Sequence, residues 1–167
     1  MNITIRPVNQ SDLNALVTIL NHYISKTAVT FDTQTYTAET RMPWFSQFAE
    51  TGRHQCLVAE ADNGQILGYA NSGTLRPKAA YDTSVEVSVY TDHQNSVKGL
   101  GSKLYEALFL RLADEDVHRA HALITLPNDA SVGLHRKFGF YDVGTLHEAG
   151  RKFDLYHSVL WMEKKLR

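Results

Sequence analysis

Apolar residues recur at helical spacing in two segments of the chain. In the first, Ser11 precedes a group of apolar residues that share one helical face, namely Leu13, Leu16, Val17, Leu20 and Ile24. In the second, Ala107 widens a stripe of leucines, namely Leu100, Leu104, Leu108 and Leu112. Residues at i and i+4 lie on one face of a helix, so each segment is predicted to form an amphipathic helix that packs on a sheet, the first capped by Ser11.

A further helix is predicted over residues 41–49, which contain Trp44, Phe45 and Phe48. Pro43 has no amide hydrogen, so it limits the start of this helix to about that point. If these aromatic side chains are exposed, they can contribute to a contact with a second copy of the chain.

A short helix is predicted after residue 127. Asn128 or Asp129 is placed to cap its N-terminus, because short polar side chains accept hydrogen bonds from the first amides of a helix. Gly139 is expected to end it in the left-handed conformation.

Alternating apolar and polar residues predict strands, at residues 3–6, 55–61, 66–73, 83–90, 120–126, 141–146 and 153–162. Between the second and the third, Asn63-Gly64 supplies the positive φ angles of a tight hairpin turn. In the fourth, three valines occupy one face, so Glu86 faces away from them. Strands mixed with helices favour an α/β or α+β fold, a single sheet with helices on both faces.

Composition narrows the possible functions. The chain has 167 residues, 43% of them hydrophobic, which suits one domain over residues 1–167. A net charge of −1 argues against nucleic acid or an anionic membrane as the main partner. The chain has neither an apolar run long enough to span a bilayer nor an export signal at its start, so a cytoplasmic location is expected. Cys56, the single cysteine, is expected to be a buried core residue.

Gly99-Leu100-Gly101 follows a strand and a polar loop and begins a helix, an arrangement that presents free backbone amides and a helix dipole to an anion such as a phosphate. Leu104 replaces the third glycine of a dinucleotide fingerprint, and the residues after Gly101 do not match a Walker loop. From spacing alone, a purely structural turn is the commoner explanation.

Few side chains are candidates for chemistry. Glu86 is a carboxylate in an otherwise apolar strand, which fits either a structural carboxylate or a general base. His135 lies on the short helix, where a histidine is commonly a packing or surface residue. His118 and His121 have no third ligand nearby, so no metal is assigned. The Gly-x-Ser-x-Gly pentapeptide of a serine hydrolase does not occur.

The order of elements, the turn at Lys98-Gly99-Leu100-Gly101-Ser102 and the segment from Asn128 to Phe140 resemble the GCN5-related N-acetyltransferase superfamily. Within it, several strings resemble phosphinothricin N-acetyltransferases and their methionine sulfone and sulfoximine acetylating relatives. They are Asn21-His22-Tyr23-Ile24, Ala80-Tyr81-Asp82, Val85-Glu86, Ser88-Val89-Tyr90, Gly99-Leu100-Gly101-Ser102-Lys103-Leu104-Tyr105 and Leu126-Pro127-Asn128-Asp129. The resemblance runs over residues 3–163.

This resemblance implies a mixed, mostly antiparallel sheet that splays apart after Glu86 and holds acetyl-CoA in the opening. The backbone of Val89, Tyr90 and Thr91 is expected to bind the pantetheine arm. The turn expected to wrap the pyrophosphate comprises Val97, Lys98, Gly99, Leu100, Gly101 and Ser102, and Asn128 is expected to contact the cofactor further along. Ser96 departs from the family, which usually has Gln or Arg there.

The resemblance also implies an amino-acid-like acceptor and a homodimer. The loop with Arg76, Pro77 and Lys78 is expected to hold the acidic end of the acceptor. The pocket is expected to be lined by Phe31, Tyr81, Val87 and Ser88. Relatives vary over residues 76–78, and the family's Trp-x-Asp pattern is replaced here by Tyr156-His157-Ser158.

The expected mechanism is direct attack of the acceptor amine on the thioester, with Glu86 as general base. Backbone amides near residues 87–89 are expected to stabilise the oxyanion, and His135, at the usual position of a tyrosine, to protonate the leaving thiolate. The alternatives are acetylation of another amine, such as a protein N-terminus, a polyamine or an aminoglycoside, and a non-catalytic acyl-CoA-binding module.

Overall fold

The structure, a computed structural model, describes residues 2–95 and 97–167, and Ser96 lies outside this part of the chain. Its strands are β1 (Ile3–Pro7), β2 (Cys56–Ala61), β3 (Ile66–Thr74), β4 (Ser84–Thr91), β5 (Arg119–Thr125), β6 (Tyr141–Lys152) and β7 (Leu155–Lys165). Its helices are α1 (Leu13–Lys26), α2 (Ala38–Phe45), α3 (Leu100–Leu112) and α4 (Asp129–Lys137), with 3-10 turns at Gln10–Asp12 and Ala79–Tyr81. None of the described helices is long and apolar enough to cross a membrane.

All strands join one seven-stranded sheet in the order β1-β2-β3-β4-β5-β7-β6. Every neighbouring pair is antiparallel except β4 and β5, which are parallel. That parallel pairing covers Ser84 with Arg119, Val85 with Ala120 and Glu86 with His121, and then stops. Beyond Glu86, β4 continues to Thr91 paired only with β3, and β5 continues to Thr125 paired only with β7, so β4 and β5 diverge there. The predicted mixed sheet, opened after Glu86, is confirmed.

Both faces of the sheet are covered by helices, as predicted. Val85 and Val87 are buried towards α3, whose four predicted leucines are at most 1% exposed. On the opposite face, Leu16 and Ile19 of α1 pack with Tyr69 and Cys56. The predicted burial of Cys56 is confirmed, and burial raises the pKa of its thiol.

The predicted cap of the first helix is wrong. Ser11 lies inside the 3-10 turn that precedes α1, and its amide donates to the side chain of Asn9 at 3.0 Å. Asp12 accepts from the Asn9 amide at 2.8 Å, which completes the cap, and it is held in place by Arg6 at 2.7 Å. The helical segment therefore begins at the capping box of Asn9 and Asp12, and the ion pair with Arg6 fixes the second of these residues.

The predicted limits of the second helix are also wrong. α2 begins at Ala38, because Thr37 and Thr40 form a reciprocal capping box with hydrogen bonds of 3.1 and 2.9 Å. Pro43 lies inside the helix, which ends soon afterwards at Phe45. The exposed aromatic contact surface expected here is likewise wrong, because the partly buried side chains of Trp44 and Phe48 pack on the core.

Two turns differ from their predicted form. The hairpin between β2 and β3 forms where predicted, but only Gly64 has a positive φ, at 82°. Phe153 was predicted to lie in a strand, yet it forms the turn between β6 and β7 together with Asp154, with φ angles of 52° and 60°. These angles are those of a type I′ turn, which matches the strand twist and needs left-handed conformations at both positions, so the turn overrides the apolar pattern.

Candidate active site

The divergence of β4 and β5 opens a cleft of about 450 Å³, here called the strand cleft. From Val87 to Thr91, the side of β4 that faces β5 has no strand partner in the described chain. All the residues predicted to bind the cofactor except Ser102 line the strand cleft, namely Val89, Tyr90, Thr91, Val97, Lys98, Gly99, Leu100, Gly101 and Asn128. Nine of the ten residues predicted to bind the cofactor thus lie around one cleft, and their role in binding it stays a prediction.

The N-terminus of α3 closes one end of the strand cleft. Gly99 adopts a φ of 80° at the N-cap, and the first helical hydrogen bond runs from the Lys103 amide to the Gly99 carbonyl at 3.1 Å. No side chain of the described residues caps this helix, so the amides of Gly101 and Ser102 precede the helical hydrogen bonds. With the positive end of the helix dipole, they favour an anion such as a phosphate. The Ser102 hydroxyl itself accepts a 3.0 Å hydrogen bond from Lys137.

Two side chains hold the walls of the strand cleft in place. Asn128 caps α4, because its side chain accepts from the Ser131 amide at 3.2 Å. The Tyr23 hydroxyl donates to the carbonyl oxygen of Thr91 at 2.7 Å and fixes the end of β4. Tyr23 lines the strand cleft, although the sequence assigned it no role.

His135 lines the strand cleft from α4 and is buried, with 3% exposure. Its Nδ1 lies 2.7 Å from the carbonyl oxygen of Ser131, and its Nε2 lies 2.9 Å from the hydroxyl of Tyr105. Burial lowers the pKa of His135, and the hydrogen bond to Ser131 opposes this shift. The ring is therefore held neutral near pH 7, with both nitrogens engaged.

A second cavity of about 270 Å³, here called the Glu86 cavity, lies against the strand cleft. Both are lined by Val87, Ser88, Tyr90 and Leu123, so β4 and β5 form a shared wall. Glu86 lines only the second cavity. A group near Glu86 is thus placed next to whatever occupies the strand cleft.

The surroundings of Glu86 shift the pKa of its carboxylate. Burial raises its pKa above the ordinary value, and the positive charge of Arg76 opposes this shift. No side chain of the described residues makes a hydrogen bond or an ion pair with its carboxylate. Beside it, Ser88 donates a 2.8 Å hydrogen bond to Asn71, so the neighbouring polar groups are engaged with each other. A carboxylate of raised pKa in a cavity is suited to accept a proton.

The residues predicted to bind the acceptor separate into two groups. Val87 and Ser88 line both cavities. The others lie outside the linings and are exposed, namely Phe31, Arg76, Pro77, Lys78 and Tyr81. Arg76 lies 5.7 Å from the ring centroid of Trp161, and Phe31 lies 6.3 Å from the ring of His157.

Sequence reasoning missed the polar lining of the Glu86 cavity on the helix side, above all Arg41. One signal was available: on a helix that begins before residue 41, the positions three and four residues away from Arg41 carry no acidic side chain. Such an arginine has no partner on its own helix.

His121, a candidate ligand from the sequence, accepts a 3.0 Å hydrogen bond from the Trp161 indole. Among residues 2–95 and 97–167, no three His, Cys, Asp or Glu side chains are grouped to hold a metal ion.

Comparison with known families and proteins places this geometry in context. The model of the acetyltransferase (GNAT) domain matches residues 5–161. Phosphinothricin N-acetyltransferase of Streptomyces coelicolor is 47% identical over 165 residues, which cover 98% of this chain and 96% of the relative. L-methionine sulfoximine/L-methionine sulfone acetyltransferase of Pseudomonas aeruginosa is 33% identical over 99% of this chain and 96% of the relative.

Solved structures agree with these sequence matches. N-acetyltransferase from Staphylococcus aureus superimposes with a TM-score of 0.91 at 32% identity, and the match covers 100% of both chains. A phosphinothricin acetyltransferase from Sinorhizobium meliloti, solved in complex with acetyl-CoA, gives a TM-score of 0.91 at 25% identity over 99% of this chain and 89% of that one.

Proposed function

The chain belongs to the acetyltransferase (GNAT) family and is an acetyl-CoA-dependent N-acetyltransferase, and from that premise we propose that it acetylates the primary amine of a small amino-acid-like acceptor. Acceptors of the phosphinothricin, methionine sulfone or methionine sulfoximine type fit best. The shared wall of the strand cleft and the Glu86 cavity is the observation that best supports this function. It allows a thioester on one side to meet an amine on the other.

The strand cleft is suited to acetyl-CoA. The free first-turn amides of α3 and the dipole of that helix would hold the pyrophosphate, with Lys98 at the same turn. The unpaired side of β4 from Val87 to Thr91 would give backbone hydrogen bonds to the pantetheine arm. These contacts use mainly backbone, so they depend on the splayed sheet rather than on particular side chains.

Glu86 is proposed as the general base. An acceptor ammonium group cannot attack a thioester, so Glu86, directly or through a water, takes one proton from it. The amine nitrogen then bonds to the thioester carbonyl carbon, and backbone amides near residues 87–89 stabilise the oxyanion. On collapse the carbon–sulfur bond breaks, the nitrogen releases its second proton to water, and the thiolate of coenzyme A takes up one proton, so no net proton is gained or lost beyond the one that Glu86 holds.

His135 is proposed as the donor of that last proton, because it lines the strand cleft. Its role is minor for two reasons. Only the imidazolium form of the ring can give up a proton, and burial lowers the pKa of His135, so little of that form is present near pH 7. A free thiol has a pKa near 8.5, so the thiolate is a fair leaving group even without an acid.

A homodimer that acts in the cytoplasm is part of the same proposal. The hairpin of β6 and β7 carries exposed apolar side chains, here called the hairpin patch, namely Val143, Leu146, Phe153, Leu155 and Tyr156. Exposed apolar groups concentrated on one hairpin favour an interface there. A second copy of the chain is the occupant that we propose.

Thiol release from acetyl-CoA tests the function. The purified protein is assayed with phosphinothricin, methionine sulfone and methionine sulfoximine, with ordinary amino acids, a polyamine and an N-terminal peptide as comparison acceptors. Release with the first three, and mass-spectrometric detection of the N-acetylated acceptor, is the expected result. Release only with the peptide or the polyamine would contradict the acceptor class. Acetyl-CoA binding without any release would favour the non-catalytic binding module.

A further inference from the structure

The guanidinium group of Arg41 is held between two aromatic rings. Its Cζ lies 4.5 Å from the ring centroid of Tyr36 and 4.3 Å from that of Trp44. Planar guanidinium groups stack favourably on aromatic faces, so this contact fixes the position of the charge. Arg41 thereby becomes a rigid feature of α2 rather than a mobile surface side chain.

The two rings are themselves fixed. Trp44 packs edge-on against Phe48 and Tyr69, at centroid distances of 4.8 and 6.1 Å. The backbone of Tyr36 exchanges two hydrogen bonds with the side chain of Asn21, at 2.9 and 2.8 Å. The position of Arg41 is therefore set before any ligand arrives.

The guanidinium group of the half-buried Arg41 has no hydrogen-bond partner among the described side chains. Its Nε is buried without a hydrogen-bond partner, and it is the only such side-chain nitrogen or oxygen in the part of the chain that the structure describes. Among the same residues, no carboxylate lies within 4 Å of its guanidinium group. Buried polar groups are nearly always hydrogen-bonded, so the Nε–H group of Arg41 is positioned to donate to a bound ligand.

Arg41 lines the Glu86 cavity, where it faces Asp32 as well as Glu86. Asp32 is engaged elsewhere, because it accepts hydrogen bonds from the Tyr36 hydroxyl at 3.2 Å and from Thr30 at 3.4 Å. The cavity thus has a free guanidinium group on its helix side and an unpaired carboxylate on its sheet side. An acceptor that carries both an ammonium group and an acidic group matches this pair of charges.

We propose that Arg41 binds an acidic oxygen group of the acceptor, a carboxylate or a phosphinate, while Glu86 faces its amine. Guanidinium binds such groups with two parallel N–H···O hydrogen bonds, which orient the acceptor as well as hold it. This role of Arg41 rests on the function proposed above. It adds to the predicted contacts at Arg76 and Lys78 a binding group on α2, a helix to which the sequence assigned no part in the site.

Steady-state kinetics with paired acceptors test the role of Arg41. Arg41→Gln, Arg41→Lys and wild type are compared on methionine sulfone, on phosphinothricin and on the methyl ester of methionine sulfone. Arg53→Gln serves as the control, since Arg53 pairs with Asp116 outside both cavities. We expect Arg41→Gln to raise KM for methionine sulfone by about 10- to 100-fold and to leave KM for the ester and for acetyl-CoA unchanged. Arg41→Lys should recover part of the loss.

Comparison of the three acceptors shows which acidic group Arg41 binds. A rise in KM for both free acids identifies the carboxylate, and a rise for phosphinothricin alone identifies the phosphinate. An equal rise for acid and ester would mean that Arg41 only supports the fold, and unchanged KM values for both acids would likewise overturn its role.

Calorimetry with coenzyme A present separates failure of the inference from failure of the proposed function. If methionine sulfone or phosphinothricin binds wild type without being acetylated, the function fails, while weaker binding to Arg41→Gln still supports the role of Arg41. If neither acid binds wild type, both the function and the role of Arg41 are overturned.

Discussion

The hydroxyl of Tyr105 donates a 2.9 Å hydrogen bond to Nε2 of His135. The direction of this bond follows from the other side of the ring: Nδ1 lies 2.7 Å from the Ser131 carbonyl oxygen, which can only accept, so Nδ1 carries the proton. Tyr105 is fully buried, so the pair is shielded from water on that side. The neutral ring of His135 has no free N–H to offer, which limits it as an acid.

His135→Ala should therefore lower acetylation by less than substitution of Glu86 does. The defect should shrink as the pH rises past about 8.5, because a free thiol ionises there and the leaving thiolate needs no acid. The measurement is the pH profile of kcat for thiol release.

Tyr105→Phe is the matched control for that experiment. It leaves Nε2 of His135 without its donor and should lower the free energy of unfolding by about 1–3 kcal/mol, while the pH profile keeps its shape. If His135→Ala leaves the rate unchanged at every pH, His135 has only a packing role.

Gly99 should be needed for its backbone rather than for its small size. A Cβ at this position would meet nothing within 4 Å, yet the φ of 80° is strained for an alanine. Gly99→Ala should lower the free energy of unfolding by about 1 kcal/mol and weaken acetyl-CoA binding, whereas Gly99→Asn should do so less, because asparagine tolerates the left-handed region. Denaturant unfolding and calorimetry measure the two effects. Equal losses in both variants would point to the side chain instead.

Glu86 should decrease the stability of the folded protein at neutral pH. Its pKa is raised in the folded state, so the folded protein loses stability as the pH rises from about 4.3, the unfolded pKa, through the higher folded pKa. Glu86→Gln should thus be more stable than wild type at pH 7 and equal to it below about pH 4. Urea unfolding across this range provides the measurement.

Glu106→Gln is the control for the urea experiment, since Glu106 is exposed on α3. It should not show the same change with pH. A Glu86→Gln variant less stable than wild type at pH 7 would mean that Arg76 stabilises the ionised carboxylate by more than burial destabilises it.

The hairpin patch should hold the dimer together. Leu155 is 63% exposed, and Leu155→Glu would place a charge in the proposed interface. Light scattering should show a dimer for wild type and a monomer for the variant. Leu110→Glu is the control, because Leu110 is 74% exposed on α3, away from the hairpin. A wild-type monomer, or a variant that remains dimeric, would contradict this interface.

Much of the fold could be predicted because apolar residues recur regularly in the strand and the helix that position the site. The valines of β4 placed Glu86 on the opposite face, and the leucines of α3 placed the glycine turn at a helix start. Both results follow from the periods of strand and helix, which act locally. The start of α2 was missed because Thr37, several residues before Pro43, sets it through its cap.

The site was predicted less completely for a physical reason. Tyr23 reaches Thr91 across 68 positions of sequence, and Arg41 reaches the Glu86 cavity from a different layer of the fold. Neither contact leaves a local pattern. An arginine without a partner on its helix is a weak signal until the structure shows that no partner reaches it from elsewhere.

Replacement of Glu86 tests the mechanism most directly. Glu86→Gln keeps the size of the side chain and removes the base, so kcat for methionine sulfone at pH 7 should fall by about 10²- to 10⁴-fold while the affinity for acetyl-CoA stays the same. The residual rate should rise with pH as the solvent deprotonates the amine. A variant that acetylates methionine sulfone at the wild-type rate at pH 7 would contradict the assignment of Glu86 as the base.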